Sequence, residues 1–269
     1  MVLTWNITIP ELTGREKRKA YVWLPEAYDE EPEVSYPVLY MFDGHNVFFD
    51  SHATYGKSWG MKEYMEKSKL PLIIAAVECN HSPDNGRLSE YSPYSFQDEY
   101  FGSVSGRGDI TMEWLIHTFK KEIDSRFRTQ PDRAHTFIAG SSMGGLMSLY
   151  ALLAYNEVFS RAAALSPSLW VDPDRLEALI REAPLDSRSI LYMDYGSREL
   201  ANHPGMAADF AGATALLMER EVYVESRIVP EGEHCEASWE RQIPFIMNAL
   251  FYPLAGDVPQ TEILSVKNG

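Results

Sequence analysis

Two different periods of apolar and polar residues run along the chain. Alternation of period two over Leu3 to Ile9, and again over Arg18 to Leu24, predicts two antiparallel strands joined through Glu11 to Arg15. Later apolar runs are nearly continuous, which is typical of strands buried on both faces of a sheet. Pro37–Phe42 and Leu70–Val77 are such runs, and further strands are predicted over Ala134–Ala139, Arg161–Leu165, Ser189–Tyr195 and Val222–Val229.

Segments with apolar residues at helical spacing separate these strands. They are Trp59–Lys67, Thr111–Phe127, Met143–Leu153, Pro173–Arg181, Met206–Glu219 and Ala237–Phe251. Because strand and helix alternate throughout the second half, we expect an α/β fold with a mostly parallel, doubly wound sheet and helices on both faces.

The segment from Glu78 to Asp109 follows neither period. It is rich in Asn, Ser, Pro, Gly and Tyr, and a loop of this length inside a compact domain is usually functional or disordered. Its aromatic residues indicate that residues 78–109 form an ordered lid or rim that covers a site. We therefore expect residues 1–269 to form one domain, with 253–269 as a peripheral tail.

Composition narrows the classes of partner and compartment. The 269 residues hold 24 Lys and Arg against 39 Asp and Glu, a formal charge of −15 that disfavours nucleic acid and anionic membranes. No apolar run reaches membrane-spanning length, and the first residues read as a strand rather than a secretory leader. The two cysteines fit a reducing compartment. We expect a soluble, cytoplasmic protein.

The strand that ends at Ala139 leads into the strongest chemical signal of the sequence. Gly140-Ser141-Ser142-Met143-Gly144 stands between that strand and a helical segment, as in a nucleophile elbow. Ser142 would occupy the tip of the turn, where Gly140 and Gly144 avoid collisions with the neighbouring strand and helix. The backbone N–H of Met143, at the helix start, would then stabilise an oxyanion.

A serine hydroxyl needs a base, and one of the seven histidines is placed to serve. His234 lies in a polar loop between the last predicted strand and the last helix, at the same carboxyl edge of the sheet as Ser142. His203 is the rival, because it follows the preceding parallel strand in a loop. His135 would open the elbow strand at the opposite edge, and His117 falls within a helix.

The acid should come from a loop between the elbow and His234. Glu199 is preferred, because its loop follows the strand that ends near Asp194; Asp194 itself and Asp172 are the alternatives. The second oxyanion donor should come from the loop after the third strand, where Gly44 or His45 would offer a backbone N–H.

Several sequence blocks together resemble the putative esterase family, also called the esterase D or enterochelin-esterase-like group of α/β-hydrolases. They are Tyr36–Tyr40 with Asp43–Asn46, Arg128-Thr129, Ile138–Gly145, Phe159, Ser166-Pro167-Ser168 and Gly232-Glu233-His234. The resemblance runs from about Arg18 to Phe251. It implies an α/β-hydrolase fold and ester hydrolysis by Ser142, His234 and a carboxylate, with Met143 and the Gly44 region holding the oxyanion. Many members use Asp as the acid, and Glu199 departs from that pattern.

The resulting functional prediction is a serine carboxylic-ester hydrolase that works through an acyl-enzyme. Aromatic residues in 78–109 favour short or aromatic acyl groups on a small-molecule or oligosaccharide alcohol; a siderophore-type or S-formylglutathione-type thioester substrate is the alternative. Candidate substrate contacts are Ser141, Trp170 and His203. No cofactor and no metal are expected, because no helical His-x-x-x-His pair occurs. Three further alternatives stay open: a binding module that has lost catalysis, acyl transfer to an acceptor other than water, and assembly as a homo-oligomer.

Overall fold

The computed structural model describes residues 1–254, and a sheet of eight strands forms its centre. Ten strands occur in this part of the chain: β1 (Val2–Thr8), β2 (Lys17–Trp23), β3 (Val38–Met41), β4 (Ile73–Val77), β5 (Phe96–Asp98), β6 (Gly102–Val104), β7 (Thr136–Ser141), β8 (Arg161–Leu165), β9 (Ile190–Gly196) and β10 (Tyr223–Val229).

The order of the strands fixes which loops meet at one edge. The central sheet runs β1-β2-β4-β3-β7-β8-β9-β10, and β5 pairs with β6 in a separate hairpin. Strand β2 is antiparallel to both β1 and β4, whereas every other neighbouring pair of the central sheet is parallel. The loops that follow β3, β4, β7, β8, β9 and β10 therefore leave from the same carboxyl edge.

Ten α-helices lie in this part of the chain, together with short 3-10 helices at Glu26–Tyr28, Gly44–Asn46, Arg133–His135 and Leu169–Val171. The α-helices are α1 (Pro10–Thr13), α2 (Met61–Ser68), α3 (Gly86–Glu90), α4 (Gly108–Trp114), α5 (Lys120–Arg126), α6 (Met143–Ala154), α7 (Pro173–Glu182), α8 (Met206–Met218), α9 (Glu236–Glu240) and α10 (Ile243–Leu250). A π-helical turn, Leu115–Phe119, joins α4 to α5.

The helices form a layer on each face of the sheet. Apolar residues of α4 to α8 make one core cluster with β3 residues Val38 and Tyr40, and those of α2 and α10 make the other with Leu39 and Met41. Since successive residues of a strand point to opposite faces, a continuous apolar run supplies both cores. The predicted α/β-hydrolase architecture is confirmed.

Three local predictions differ from the structure. The segment predicted as one helix over Ala237–Phe251 is two, α9 and α10, with Pro244 in the first turn of α10, where its missing N–H costs no bond. The connection Glu11–Arg15 contains part of the short helix α1. The segment 78–109 has no long periodic element but holds α3 and the β5–β6 hairpin.

Residues 255–269, most of the predicted tail, lie outside the described residues. Among residues 1–254, no helix is both long and apolar enough to cross a membrane.

Candidate active site

Ser142 occupies a strained turn between β7 and α6. Its φ of 60° and ψ of −123° are backbone angles that non-glycine residues rarely adopt and that are found at functional sites. The Ser142 N–H donates to the Leu165 carbonyl at 2.9 Å. A β-carbon on Gly140 would lie 2.6 Å from the Gly144 carbonyl oxygen, so the turn requires glycine there. Met143 begins α6, whose first N–H groups have no helical acceptor.

His234 and Glu199 form a hydrogen bond at the carboxyl edge of the sheet. Nδ1 of His234 lies 2.6 Å from Oε2 of Glu199, whose side chain is 2% exposed. An ionised carboxylate can only accept hydrogen bonds, so Nδ1 of His234 carries the hydrogen. Nε2 is left with a lone pair that can take a proton, the tautomer that a general base needs.

The second oxygen of Glu199 has two donors of its own. Oε1 accepts from the Ser166 hydroxyl at 2.6 Å and from the Gly196 N–H at 2.5 Å. Ser166 in turn accepts from Nε1 of Trp239 at 3.0 Å. Burial pushes the pKa of Glu199 upward, but hydrogen bonds from His234, Ser166 and Gly196 outweigh it, and the pKa lies below its ordinary value. The carboxylate is therefore held ionised and in one orientation.

A close backbone contact brings the Glu199 loop beside the His234 loop. A β-carbon on Gly196 would lie 2.3 Å from the carbonyl carbon and oxygen of Gly232. The Arg198 N–H also donates to the Gly232 carbonyl at 3.1 Å. Any side chain at Gly196 would force the two loops apart and move Glu199 away from His234.

The two alternative acids have other partners. Asp194 is 1% exposed, and its carboxylate accepts from the Tyr192 hydroxyl at 2.7 Å and from the Ser166 N–H at 3.4 Å. Asp172 caps α7 by accepting from the Arg175 N–H at 3.1 Å. Of the three carboxylates, the structure brings Glu199 to His234.

Burial raises the pKa of Asp194 to about 7, and this predicts an unusual pH dependence of stability. A carboxyl group whose pKa is higher in the folded than in the unfolded chain keeps its proton longer in the folded state. The free energy of unfolding should therefore fall between pH 4 and pH 7 as the unfolded chain ionises first, by about 2–4 kcal/mol. In Asp194→Asn this loss should be absent. Urea unfolding of both proteins at pH 4.5 and 7.5 checks it, and parallel pH profiles would contradict it.

The loop after β3 approaches the serine turn from the neighbouring strand. Asp43 has a left-handed φ of 55°, and Arg87 donates to both its carboxylate oxygens at 2.7 Å. Burial would raise the pKa of Asp43, but Arg87 outweighs it and holds the pKa below the ordinary value. Gly44 packs directly on the Val77 backbone, and His45 is buried. These contacts hold the backbone of the loop in one conformation, in which it can bind a ligand.

Ser142 and His234 line the same open cavity of about 570 Å³. Its wall also includes Ser141, His45 and Phe101. Many of its other lining residues are polar and come from the loops after β3 and β4 and from the 78–109 segment, among them Asp43, Asn46, Thr54, Asn80, His81, Ser82, Asn85 and Arg87. Glu236 and Trp239 of α9 also line it.

Two residues predicted as substrate contacts lie outside that lining. The Trp170 and His203 rings stack at 4.2 Å between centroids, and Phe101 stacks on Trp170 at 6.4 Å. Of these three rings Phe101 is the one that reaches the cavity wall. His117 and His135 also lie away from the cavity, each beside an acidic residue of its own segment, Glu113 and Asp132.

Sequence reasoning assigned no site role to four residues that the structure places here: Ser166, Gly196, Trp239 and Arg87. Ser166 lies in one of the blocks that carried the family resemblance, which was a usable signal. The hydrogen bond from Trp239 to Ser166 and the ion pair of Arg87 with Asp43 left no signal in the sequence, because each joins segments that are far apart along the chain.

This sheet order, with a serine at a strained strand-to-helix turn and a histidine–carboxylate pair in the loops after β9 and β10, defines a serine hydrolase of the α/β-hydrolase fold. Comparison with known proteins narrows the class. The model of the family described as "Putative esterase" matches residues 13–249, and the chain belongs to that family of ester hydrolases.

Individual relatives are distant. An uncharacterized protein of Bacillus subtilis (strain 168), YbbA, is 24% identical over 186 residues, which cover 68% of this chain and 69% of YbbA. A ferulic acid esterase superposes with a TM-score of 0.66 at 18% identity, over 93% of this chain and 97% of its own. The siderophore hydrolase EstA from Aspergillus nidulans superposes with a TM-score of 0.68 at 19% identity, over 92% of this chain and 94% of its own. At such identities the structural matches establish the fold.

Proposed function

We propose that this esterase acts through Ser142 as nucleophile, His234 as general base and acid, and Glu199 as the carboxylate that orients His234. Ser142 attacks the ester carbonyl while Nε2 of His234 takes its proton, and His234 then protonates the leaving alcohol. Water hydrolyses the acyl-enzyme by the same steps. The N–H groups of Met143 and of Gly44 or His45 stabilise the tetrahedral oxyanion.

One observation carries this assignment. The 2.6 Å bond from His234 to the buried, ionised Glu199 fixes the imidazole beside the cavity that Ser142 also lines. Burying a charged carboxylate costs free energy unless it is fully hydrogen-bonded. A non-catalytic binding module does not require such a carboxylate to hold a histidine in the basic tautomer, whereas a serine hydrolase does.

We infer that the substrate joins an aromatic acid to a polar alcohol. Phe101 on the cavity wall offers a ring on which a flat acyl group can stack, and Trp170 and His203 support this ring from behind in a row of stacked rings. The asparagine, serine and threonine side chains on the rest of the wall suit a hydroxyl-rich alcohol such as a sugar. In this proposal residues 78–109 form the rim that supplies Phe101.

A siderophore ester is the second candidate, because the same wall offers His45, His81 and Arg87 to catecholate-like oxygens. EstA, which superposes on this fold, is named a siderophore hydrolase. The formal charge of −15 argues against this candidate, since it slows the encounter with anionic substrates.

A substrate panel tests the proposal directly. Initial rates would be measured with nitrophenyl acetate, nitrophenyl butyrate, methyl ferulate, acetylated xylo-oligosaccharide and a cyclic catecholate triester. We expect the highest kcat/KM with methyl ferulate among the non-activated esters. A preference for the catecholate triester would support the second candidate. If no ester were cleaved and a phosphonate probe left Ser142 unlabelled, the catalytic assignment would fall.

The proposed contact between the acyl group and Phe101 leads to a separate prediction. Phe101→Ala should raise KM for methyl ferulate about tenfold, the loss of one aromatic contact and its buried area, and leave KM for nitrophenyl acetate nearly unchanged. Tyr100→Ala is the matched control, because Tyr100 is adjacent on the same hairpin but 89% exposed. Equal effects of Phe101→Ala on both esters would contradict a role in acyl recognition.

A further inference from the structure

Three side chains with metal-binding atoms meet on the cavity wall. His45, from the loop after β3, faces Cys79 and His81, from the loop after the neighbouring strand β4. One ligand atom from each of the three lies within 4.8 Å of the other two. The sequence shows only a Cys-x-His pair, because the parallel register of β3 and β4 brings in the third residue.

Of the three residues, His45 has the ring nitrogen that is most clearly available to bind a metal ion. The side chain is 5% exposed, and its Nε2 lies 3.0 Å from the Thr54 hydroxyl. Nδ1 is buried and has no hydrogen-bond partner within residues 1–254. A buried ring nitrogen without a partner is uncommon, because desolvation without a bond is unfavourable. When Nε2 carries the hydrogen, Nδ1 offers a lone pair to an electrophile.

Cys79 and His81 complete the set from one loop. Cys79 is buried, and its thiol contributes to lowering the pKa of Asp43, which places its sulfur beside the loop that carries His45. His81 is exposed and meets the His45 ring edge-on at 4.7 Å between centroids. Since all three residues line the cavity, an ion can enter from solvent.

We propose that His45 Nδ1, Cys79 Sγ and the His81 imidazole bind one Zn²⁺ ion, with the fourth position open to the cavity. One thiolate and two imidazoles are a donor set that Zn²⁺ prefers, and three protein ligands with an open position form a known type of zinc site. Ligand atoms around tetrahedral Zn²⁺ lie roughly 3.3–3.8 Å apart. Because the three atoms lie within 4.8 Å of one another, each separation needs to shorten by at most about 1–1.5 Å, and rotation of the exposed His81 side chain can shorten the two that involve His81. Zn²⁺ displaces the thiol proton to solvent on binding.

Binding at this site would tie the loop after β3 to the loop after β4. The first of these loops holds Gly44, a proposed oxyanion donor, so occupancy would make ester hydrolysis sensitive to zinc; this consequence rests on the proposed function. The zinc site itself does not, and its test therefore uses readouts that need no turnover.

Titration with Co²⁺, a spectroscopic substitute for Zn²⁺, examines the site directly. The full chain, stripped of metal with a chelator, should develop a near-ultraviolet thiolate-to-cobalt charge-transfer band at one equivalent, and Zn²⁺ should displace it. Cys79→Ser should abolish the band, and His81→Ala should weaken binding at least about 100-fold. His117→Ala is the control, because His117 is exposed on the π-helical turn, and it should bind as wild type does.

A melting experiment gives an independent measure. Zn²⁺ at about a hundred times its Kd should raise the Tm of wild type by about 5 °C or more, and should leave Cys79→Ser unchanged. Absence of the band in wild type, or equal zinc affinity in wild type and both ligand variants, would overturn the site. Esterase activity of the metal-free wild type is measured separately, so failure of the proposed function would be recognised whatever the metal titration shows.

Discussion

Replacing Ser142 by alanine is expected to lower kcat for nitrophenyl butyrate by about 10⁵–10⁶-fold. Removing the hydroxyl removes the acyl-enzyme route, so what remains is attack by water with help from the oxyanion donors alone. Alanine is as strained as serine at a φ of 60°, so the turn itself should keep its shape and stability. Rates of purified protein, with Tm as a check on folding, measure the effect.

The adjacent serine provides the matched control for this experiment. Ser141 also lines the cavity but ends β7 ahead of the turn, and Ser141→Ala should keep kcat within about tenfold of wild type. A fluorophosphonate should add its mass to a peptide containing Ser142 in wild type and Ser141→Ala, and to none in Ser142→Ala. If Ser141→Ala lost the activity instead, the nucleophile would have been assigned to the wrong serine.

Glu199→Gln is expected to cost about 10³–10⁴-fold in kcat with little change in fold. An amide can donate to Nδ1 of His234, which favours the tautomer with the hydrogen on Nε2, where it cannot take the serine proton. The amide also cannot balance the charge on the imidazolium that forms in the transition state. Ser166 and Gly196 still find an oxygen acceptor on the amide side chain of this variant, so the loop keeps its hydrogen bonds.

Asp194→Asn and Asp172→Asn serve as controls for Glu199→Gln. Both carboxylates were alternatives from the sequence, and neither contacts His234 in the structure. Each variant should retain activity of the wild-type order, measured with the same ester at pH 8. A loss in Asp194→Asn equal to that in Glu199→Gln would mean that Asp194 orients the base.

The sequence predicted the fold because its signals are local. A buried parallel strand needs apolar residues on both faces, and a helix between two strands needs one apolar stripe, so each element is visible in its own segment. The same rule places Ser142 and His234 together, since both follow parallel strands at the carboxyl edge. The break between α9 and α10 was missed because apolar spacing continues across it.

Local signals favoured Glu199 as the acid but left Asp194 and Asp172 open. Glu199 and Asp194 belong to the end of the same strand and the loop after it, so their positions along the chain separate them only weakly. The decision comes from the contact between Gly196 and Gly232, which folds one loop against another. The Arg87–Asp43 ion pair and the Ser166–Glu199 bond likewise join residues 44 and 33 positions apart, beyond any periodic pattern.

One hydrogen bond joins two residues that lie far apart in the sequence. Nδ2 of Asn46 donates to Oε1 of Glu236 at 3.1 Å, across 190 positions, and links the loop after β3 to the first residue of α9. Both residues line the cavity, so the active centre is complete only when these two parts of the chain have come together. On refolding from denaturant, helical and sheet signals should return before hydrolysis does, because a contact between residues far apart in sequence carries a larger loop-closure cost. Recovered activity is thus a sensitive indicator that the loop after β3 and helix α9 have docked.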